Sequence, residues 1–159
     1  ISDWRVFRDL GSPDIIRIAS HSVVAQTKEE FEHIFFNPSF DPASQVIFHD
    51  PSLQPLAGTG NVTVTSYTSN SIEASTDTQG ATMMVIASTY YPGWKAYVDG
   101  QPAPLSRVNW TMNGVGVTPG KHIVRLTYEP ASFRIGLSIS ILSAFLFAGM
   151  VIAQRKNFI

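Results

Sequence analysis

The side chains with the most chemical potential are the carboxylates Asp77, Asp99 and Glu129 and the histidines His21, His33, His49 and His122. Cleavage or transfer at a glycosidic bond needs two acids facing one cleft. These three acids fall in or beside predicted turns, and Asp99-Gly100 reads as a hairpin turn, where both central positions need positive φ. The turn accounts for Asp99 and Gly100 without catalysis. The histidines show neither i, i+4 nor His-x-His spacing, so no metal site is expected and each is read as solvated or hydrogen-bonded. Cysteine is absent, which removes thiolate nucleophiles, disulfides and cysteine-ligated zinc. Gly58-Thr59-Gly60 lacks the rest of a dinucleotide fingerprint, and Gly136-Leu137-Ser138 lies in an apolar run rather than on a nucleophile elbow. The residues thus predict no catalytic group and no cofactor.

Aromatic rings are the remaining candidates, because their faces can stack on sugar rings. Tyr97 leads, with Tyr90 and Tyr91 beside it in sequence. Trp94 falls in register with Ala96 and Val98 and is assigned to the core, whereas Lys95 and Tyr97 point to the opposite face. Trp110 is a further ring. Asn61-Val62-Thr63 and Asn109-Trp110-Thr111 match the glycosylation acceptor pattern and are read as incidental.

The elements that must position these groups are mostly strands. Strand-length runs occur at 5–7, 15–19, 23–26 and 46–48. Between them, Thr27-Lys28-Glu29-Glu30 reads as a capping box, and Phe31, Ile34 and Phe35 give a two-turn helix one apolar face before Asn37-Pro38 stops it. After the Pro- and Gly-rich stretch 51–60 the pattern is all-β. Val62 and Val64 alternate with threonines, 71–75 follows a Ser69-Asn70 turn, and the continuously apolar 83–87 is expected to be a central strand. Pro119-Gly120 is another turn, and 122–128 alternates with Val124, Leu126 and Tyr128 inward. Six or seven strands at this spacing predict a mainly β fold, a β-sandwich of jelly-roll or immunoglobulin-like type. The expected division is a small α+β segment at 1–56, the sandwich at 57–133, a transmembrane helix at 134–154 and a cytoplasmic tail at 155–159.

That helix rests on charge. Residues 135–153 hold none, and Ser138, Ser140 and Ser143 are their most polar side chains. A helix of this length covers about 28 Å, near the thickness of a bilayer's hydrocarbon core. The first 133 residues hold all 12 acids against 8 of the 11 Lys and Arg; Arg134, Arg155 and Lys156 follow with no acid. Arg155-Lys156 then marks the cytoplasmic side, which places 1–133 outside. Gly136, Ser140, Ala144 and Ala148 recur every four residues and form a small-residue row suited to packing on another helix of a parent protein. No basic patch interleaved with aromatics is present, so nucleic acid is excluded as a partner. The chain opens on isoleucine, with no charged region followed by an apolar one, and is expected to be part of a longer product.

The run Tyr90-Tyr91-Pro92-Gly93-Trp94-Lys95-Ala96-Tyr97-Val98-Asp99-Gly100 resembles the C-terminal region of YfhO-type bacterial membrane proteins. So do Arg107-Val108-Asn109, Pro119-Gly120-Lys121-His122 and Tyr128-Glu129-Pro130-Ala131-Ser132-Phe133-Arg134-Ile135-Gly136, in the same order. More loosely, Arg5-Val6-Phe7 and Phe40-Asp41-Pro42 are similar to what precedes that region; Ser12-Pro13-Asp14 departs from the common Leu-Pro-Arg. The resemblance implies a polytopic parent in the bacterial plasma membrane, related to glycosyltransferases that use lipid-phosphate sugars outside the membrane, with links to glycosylation of envelope polymers. The catalytic acid it implies belongs to an early extracytoplasmic loop, so no active-site residue transfers to this chain. The expected function is a non-catalytic accessory domain whose partners are the bilayer, the parent's other helices and an envelope glycan or polymer. The competing reading is a single-pass surface module that binds carbohydrate or protein.

Overall fold

The computed structural model describes residues 14–156, and side chains at 148 and 151–156 are outside that description. The expected strand at 5–7, Ser12-Pro13 and the last residues of the tail lie outside the described residues. Two sheets face each other. The elements are β1 (Ile16–Ala19), β2 (His21–Val24), α1 (Lys28–Phe35), β3 (Gln45–Phe48), β4 (Thr59–Tyr67), β5 (Ser71–Gln79), β6 (Thr82–Thr89), β7 (Trp94–Val98), β8 (Gln101–Ala103), β9 (Leu105–Val108), β10 (Met112–Val117), β11 (Gly120–Tyr128) and α2 (Ala131–Lys156). One sheet runs β1-β6-β10-β9-β3-β2 and the other β4-β5-β11-β7-β8.

The local signals act as their chemistry dictates. Thr27 accepts from the Glu30 N–H at 3.2 Å while Glu30 accepts from the Thr27 N–H at 3.3 Å, closing the capping box of α1. Asp99 and Gly100 turn at φ 50° and 79°, joining β7 to β8. The apolar run within β6 is flanked by β1 and β10. In the region expected to be all-β, eight strands form, β4 to β11, instead of six or seven. The additions include β10, whose Met-Asn-Gly-Val-Gly-Val carries two glycines and little strand propensity; hydrogen bonding to both β6 and β9 holds it extended. β2 begins two residues before the expected 23–26, because its parallel pairing with β3 already starts at His21 opposite Gln45, where the His21 N–H donates to the Ser44 carbonyl at 3.2 Å. Strands β1 to β3 lie in the six-stranded sheet.

The main core lies between the sheets. Ile72, Ala74, Ala96, Val124 and Leu126 from one meet Ile16, Met84, Ile86, Val115 and Val117 from the other. The six-stranded sheet is covered on its second face too, where Ala19, Val46, Phe48, Met83, Val85 and Val108 pack under Leu53 and Leu56. Among the described residues the five-stranded sheet has no such cover, and its outer face carries Glu73, Asp77, Lys95, Lys121 and Arg125, all partnered in ion pairs.

α2 is present where a C-terminal helix is expected. As a membrane span the expectation is not met: among the described residues no helix is long and apolar enough to cross a membrane. Its side chains are described without a break only from Ala131 to Phe147.

A tight turn at Asn109 and Trp110 joins β9 to β10, both residues in the left-handed region at φ 44° and 68°. Asn109 is buried, and it extends the sheet past β9: its N–H donates to the Ile47 carbonyl at 2.9 Å and its side-chain oxygen accepts from the Ile47 N–H at 2.8 Å. Asparagine tolerates positive φ better than most residues. Asn109→Ala leaves the Ile47 N–H buried without its partner, and should lower unfolding free energy by about 1–3 kcal/mol in denaturant titration; an unchanged midpoint would show that the turn does not depend on this amide.

Candidate functional site

Antiparallel register brings distant residues into rows across the outer face of the five-stranded sheet. Arg125 on β11 sits between Glu73 on β5 and Tyr97 on β7, and Tyr97 in turn pairs with Pro102 on β8. Around this row lies an open groove of about 610 Å³, lined by Glu73, Tyr97, Asp99, Gly100, Ile123, Arg125, Thr127 and Glu129. A second groove, of about 470 Å³, adjoins it through Asp99 and Ile123 and continues over Asp77, Lys121 and Asn61.

The acids of the main groove are all engaged. Glu73 Oε2 accepts from Arg125 Nη2 at 2.6 Å and from Nε at 2.9 Å, and Oε1 accepts from the Thr65 hydroxyl at 3.3 Å. Asp99 Oδ2 bonds His122 Nδ1 at 2.7 Å while Oδ1 accepts from the Ile123 N–H at 2.8 Å. Glu129 Oε2 accepts from Lys95 at 2.7 Å and Oε1 from the Thr127 hydroxyl at 3.2 Å. Hydrogen bonds to the ionised form hold all three carboxyls below the ordinary range, chiefly those from Arg125, His122 and Lys95 respectively. A carboxyl that protonates a leaving group needs the opposite shift.

The expected site residues separate. Tyr97, half-buried, lines the main groove, as do Asp99 and Gly100. Tyr90 and Tyr91 are exposed on the link between β6 and β7, and with Trp94, Tyr97, Pro102 and Leu105 they border a smaller groove of about 330 Å³. Tyr97 therefore belongs to both. Trp94 is half-buried, packed against the main core with its ring centroid 5.3 Å from that of Tyr128. On α2, Gly136 has open space around it, the Ser140 hydroxyl donates to the Gly136 carbonyl at 2.9 Å and Ala144 is exposed; the Ala148 side chain lies outside the described residues.

Glu73 and Arg125 were not singled out from the sequence. Their outward register on β5 and β11 is readable, but their pairing needs the strand order. A second unforeseen cluster gathers at the β9–β10 turn. His49 Nε2 accepts from the Trp110 N–H at 2.9 Å and Nδ1–H donates to the Ala25 carbonyl at 3.0 Å, so the ring is neutral with its proton on Nδ1. Burial, then the nearby Arg107 charge, lowers its pKa. Phe31 and Arg107 close on the Trp110 ring at 5.6 and 5.7 Å.

Fold and surface together define, among the described residues, a two-sheet β module with one covered and one open outer sheet face, continuing directly into the C-terminal helix α2. The family model for the bacterial membrane protein YfhO matches residues 57–140, and the chain belongs to that family. The match runs from the approach to β4 across the junction into α2. No curated protein and no solved structure matches the chain.

His122 and His49 give opposite pH dependences. The Asp99 bond raises the His122 pKa, so its stabilisation is complete below the ordinary histidine value of about 6.5 and is lost as pH rises through the raised folded value. Asp99, shifted down, adds stability that is present above the ordinary carboxylate range and lost as pH falls through its lowered value. His49 is shifted down, so its contribution is complete above about 6.5 and falls away as pH drops through its lowered folded value. His122→Gln should flatten the alkaline side of a Tm profile between pH 5 and 8, and His49→Gln the acid side. Parallel profiles for both variants and the parent chain would contradict these assignments.

Proposed function

We propose that the chain is an accessory outer domain of a polytopic, glycosyltransferase-like membrane protein, holding an envelope glycan or polymer without contributing a catalytic group. The observation that carries this reading is the main groove, in which all six oxygens of Glu73, Asp99 and Glu129 already accept hydrogen bonds beside the Tyr97 ring. Bound carboxylates on a rigid sheet present fixed acceptors to hydroxyl-rich ligands, and an adjoining ring supplies a stacking face. None of the three is free to act as a nucleophile or held as an acid.

Membership of a membrane-protein family and the uncharged run 135–153 support α2 as the anchor, with residues 1–133 outside. Polar groups in lipid must be satisfied internally. Ser138, Ser140 and Ser143 each donate to the carbonyl four residues earlier at 2.9 Å.

Retention of oligosaccharides of hexoses and N-acetylhexosamines on immobilised chain tests the groove. Tyr97→Ala should weaken binding about tenfold, equivalent to about 1.4 kcal/mol, and Lys28→Ala on α1 should not. Equal affinity for Tyr97→Ala and the parent chain, or no retained oligosaccharide at all, would sink the reading. A reporter fused after Ile159 should behave as cytoplasmic; an extracytoplasmic signal would reverse the topology.

A further inference from the structure

Registers place the aromatic residues asymmetrically along the strands. Thr89 at the end of β6 pairs with Met112, Met112 with Val108 and Val108 with Phe48, while in the other sheet Tyr128 pairs with Trp94 and Tyr67 with Ile72. Residues 90–93 carry the chain from one sheet to the other, and the Tyr90 N–H donates to the Thr111 carbonyl at 2.6 Å. The β4–β5, β6–β7 and β9–β10 connections and the start of α2 therefore share one end of the sandwich. Four of the chain's five tyrosines, Tyr67, Tyr90, Tyr91 and Tyr128, lie there, together with Trp94 and Trp110. The turns at the opposite end, at 80–81, 99–100 and 118–119, hold no ring of either kind.

This end is fastened to α2. The Glu129 N–H donates to the Gly93 carbonyl at 2.7 Å, two residues before the helix begins. Gly93 has φ 116°, and a Cβ there would come within 2.9 Å of the Tyr128 ring and 3.1 Å of Pro130, so the link lies flush against the junction. Tyr91, 59% exposed, and Trp94 border a depression shared with Ala131 and Ser132 of the first helical turn. Tyr67 is 56% exposed. α2 itself contains neither tyrosine nor tryptophan, although spans are commonly flanked by such rings at the headgroup level, where an apolar body and a polar tip are both satisfied.

We propose that this aromatic end of the sandwich seats in the headgroup layer of the bilayer, the sandwich supplying the interfacial anchors that its helix lacks. The inference rests on α2 being a span. With 135–153 filling the hydrocarbon, Arg134 and the junction lie at the interface, and the link at 90–93 is held at the same depth. The outer face of the five-stranded sheet then stands roughly along the membrane normal, its groove opening sideways above the surface.

The chain has no cysteine, so single-cysteine variants can carry one environment-sensitive fluorophore each. Tyr91→Cys, Tyr67→Cys, Leu142→Cys and Lys121→Cys would be made in the full chain and reconstituted in phosphatidylethanolamine–phosphatidylglycerol vesicles. Lipids brominated near the headgroup should quench probes at 91 and 67 by about twofold, lipids brominated deep in the acyl chain should quench the probe at 142 similarly, and neither should quench at 121. Quenching at 142 with none at 91 and 67 overturns the inference and leaves the span intact. Absence of quenching at 142 removes the span, and the inference with it.

Discussion

Burial of β6 on both of its faces governs the arrangement of everything else. Met84 and Ile86 face the opposing sheet, while Met83 and Val85 face Leu53 and Leu56, and none of the four is more than 4% exposed. A strand apolar on both sides cannot lie in a sheet with a wet face without leaving large side chains in water. The six-stranded sheet is thereby committed to two layers of cover. The five-stranded sheet, which alternates, needs only one, and its outer face is left to polar chemistry.

That free face explains why the groove is a surface of fixed charges. Cross-strand neighbours on a sheet lie close enough for opposite charges to pair, and once β5, β11 and β7 are in register, Glu73 meets Arg125 and Lys95 meets Glu129. Such exposed pairs contribute little to stability. Their effect here is on chemistry: carboxylates held by donors are poor acids and poor nucleophiles, yet they keep lone pairs free to accept from a ligand. Asp99 has a double role, as the left-handed residue of its hairpin and as the partner of His122. The turn that accounts for Asp99 in the sequence also points its carboxylate at the groove.

The β9–β10 turn holds two non-glycine residues at positive φ, an arrangement that persists only where surrounding contacts outweigh its cost. Those contacts are the Asn109 amide on Ile47, the His49 ring on the Trp110 N–H, and the Phe31 and Arg107 side chains on the indole. Phe31 belongs to a helix of eight residues with no buried residue, too short to persist alone in water. Docking of its apolar edge on this cluster gives α1 a fixed position.

Elements whose information is local were legible in the sequence. The capping box before α1, the Asp-Gly hairpin, the period-two alternation of β7 and β11 and the continuous apolar stretch of β6 each depend on neighbours within a few residues, and each forms. The rest depended on partners far along the chain. β10 is strand only because β6 and β9 both bond to it, and the Asn109 amide finds its use 62 residues away at Ile47. The row of Glu73, Arg125 and Tyr97 is set by the order β5-β11-β7. Alternation shows that each of these side chains points outward but carries no record of which strand lies beside which. That choice is made by the packing of whole sheets, where many distant apolar contacts form together, and so it was decided by the tertiary structure alone.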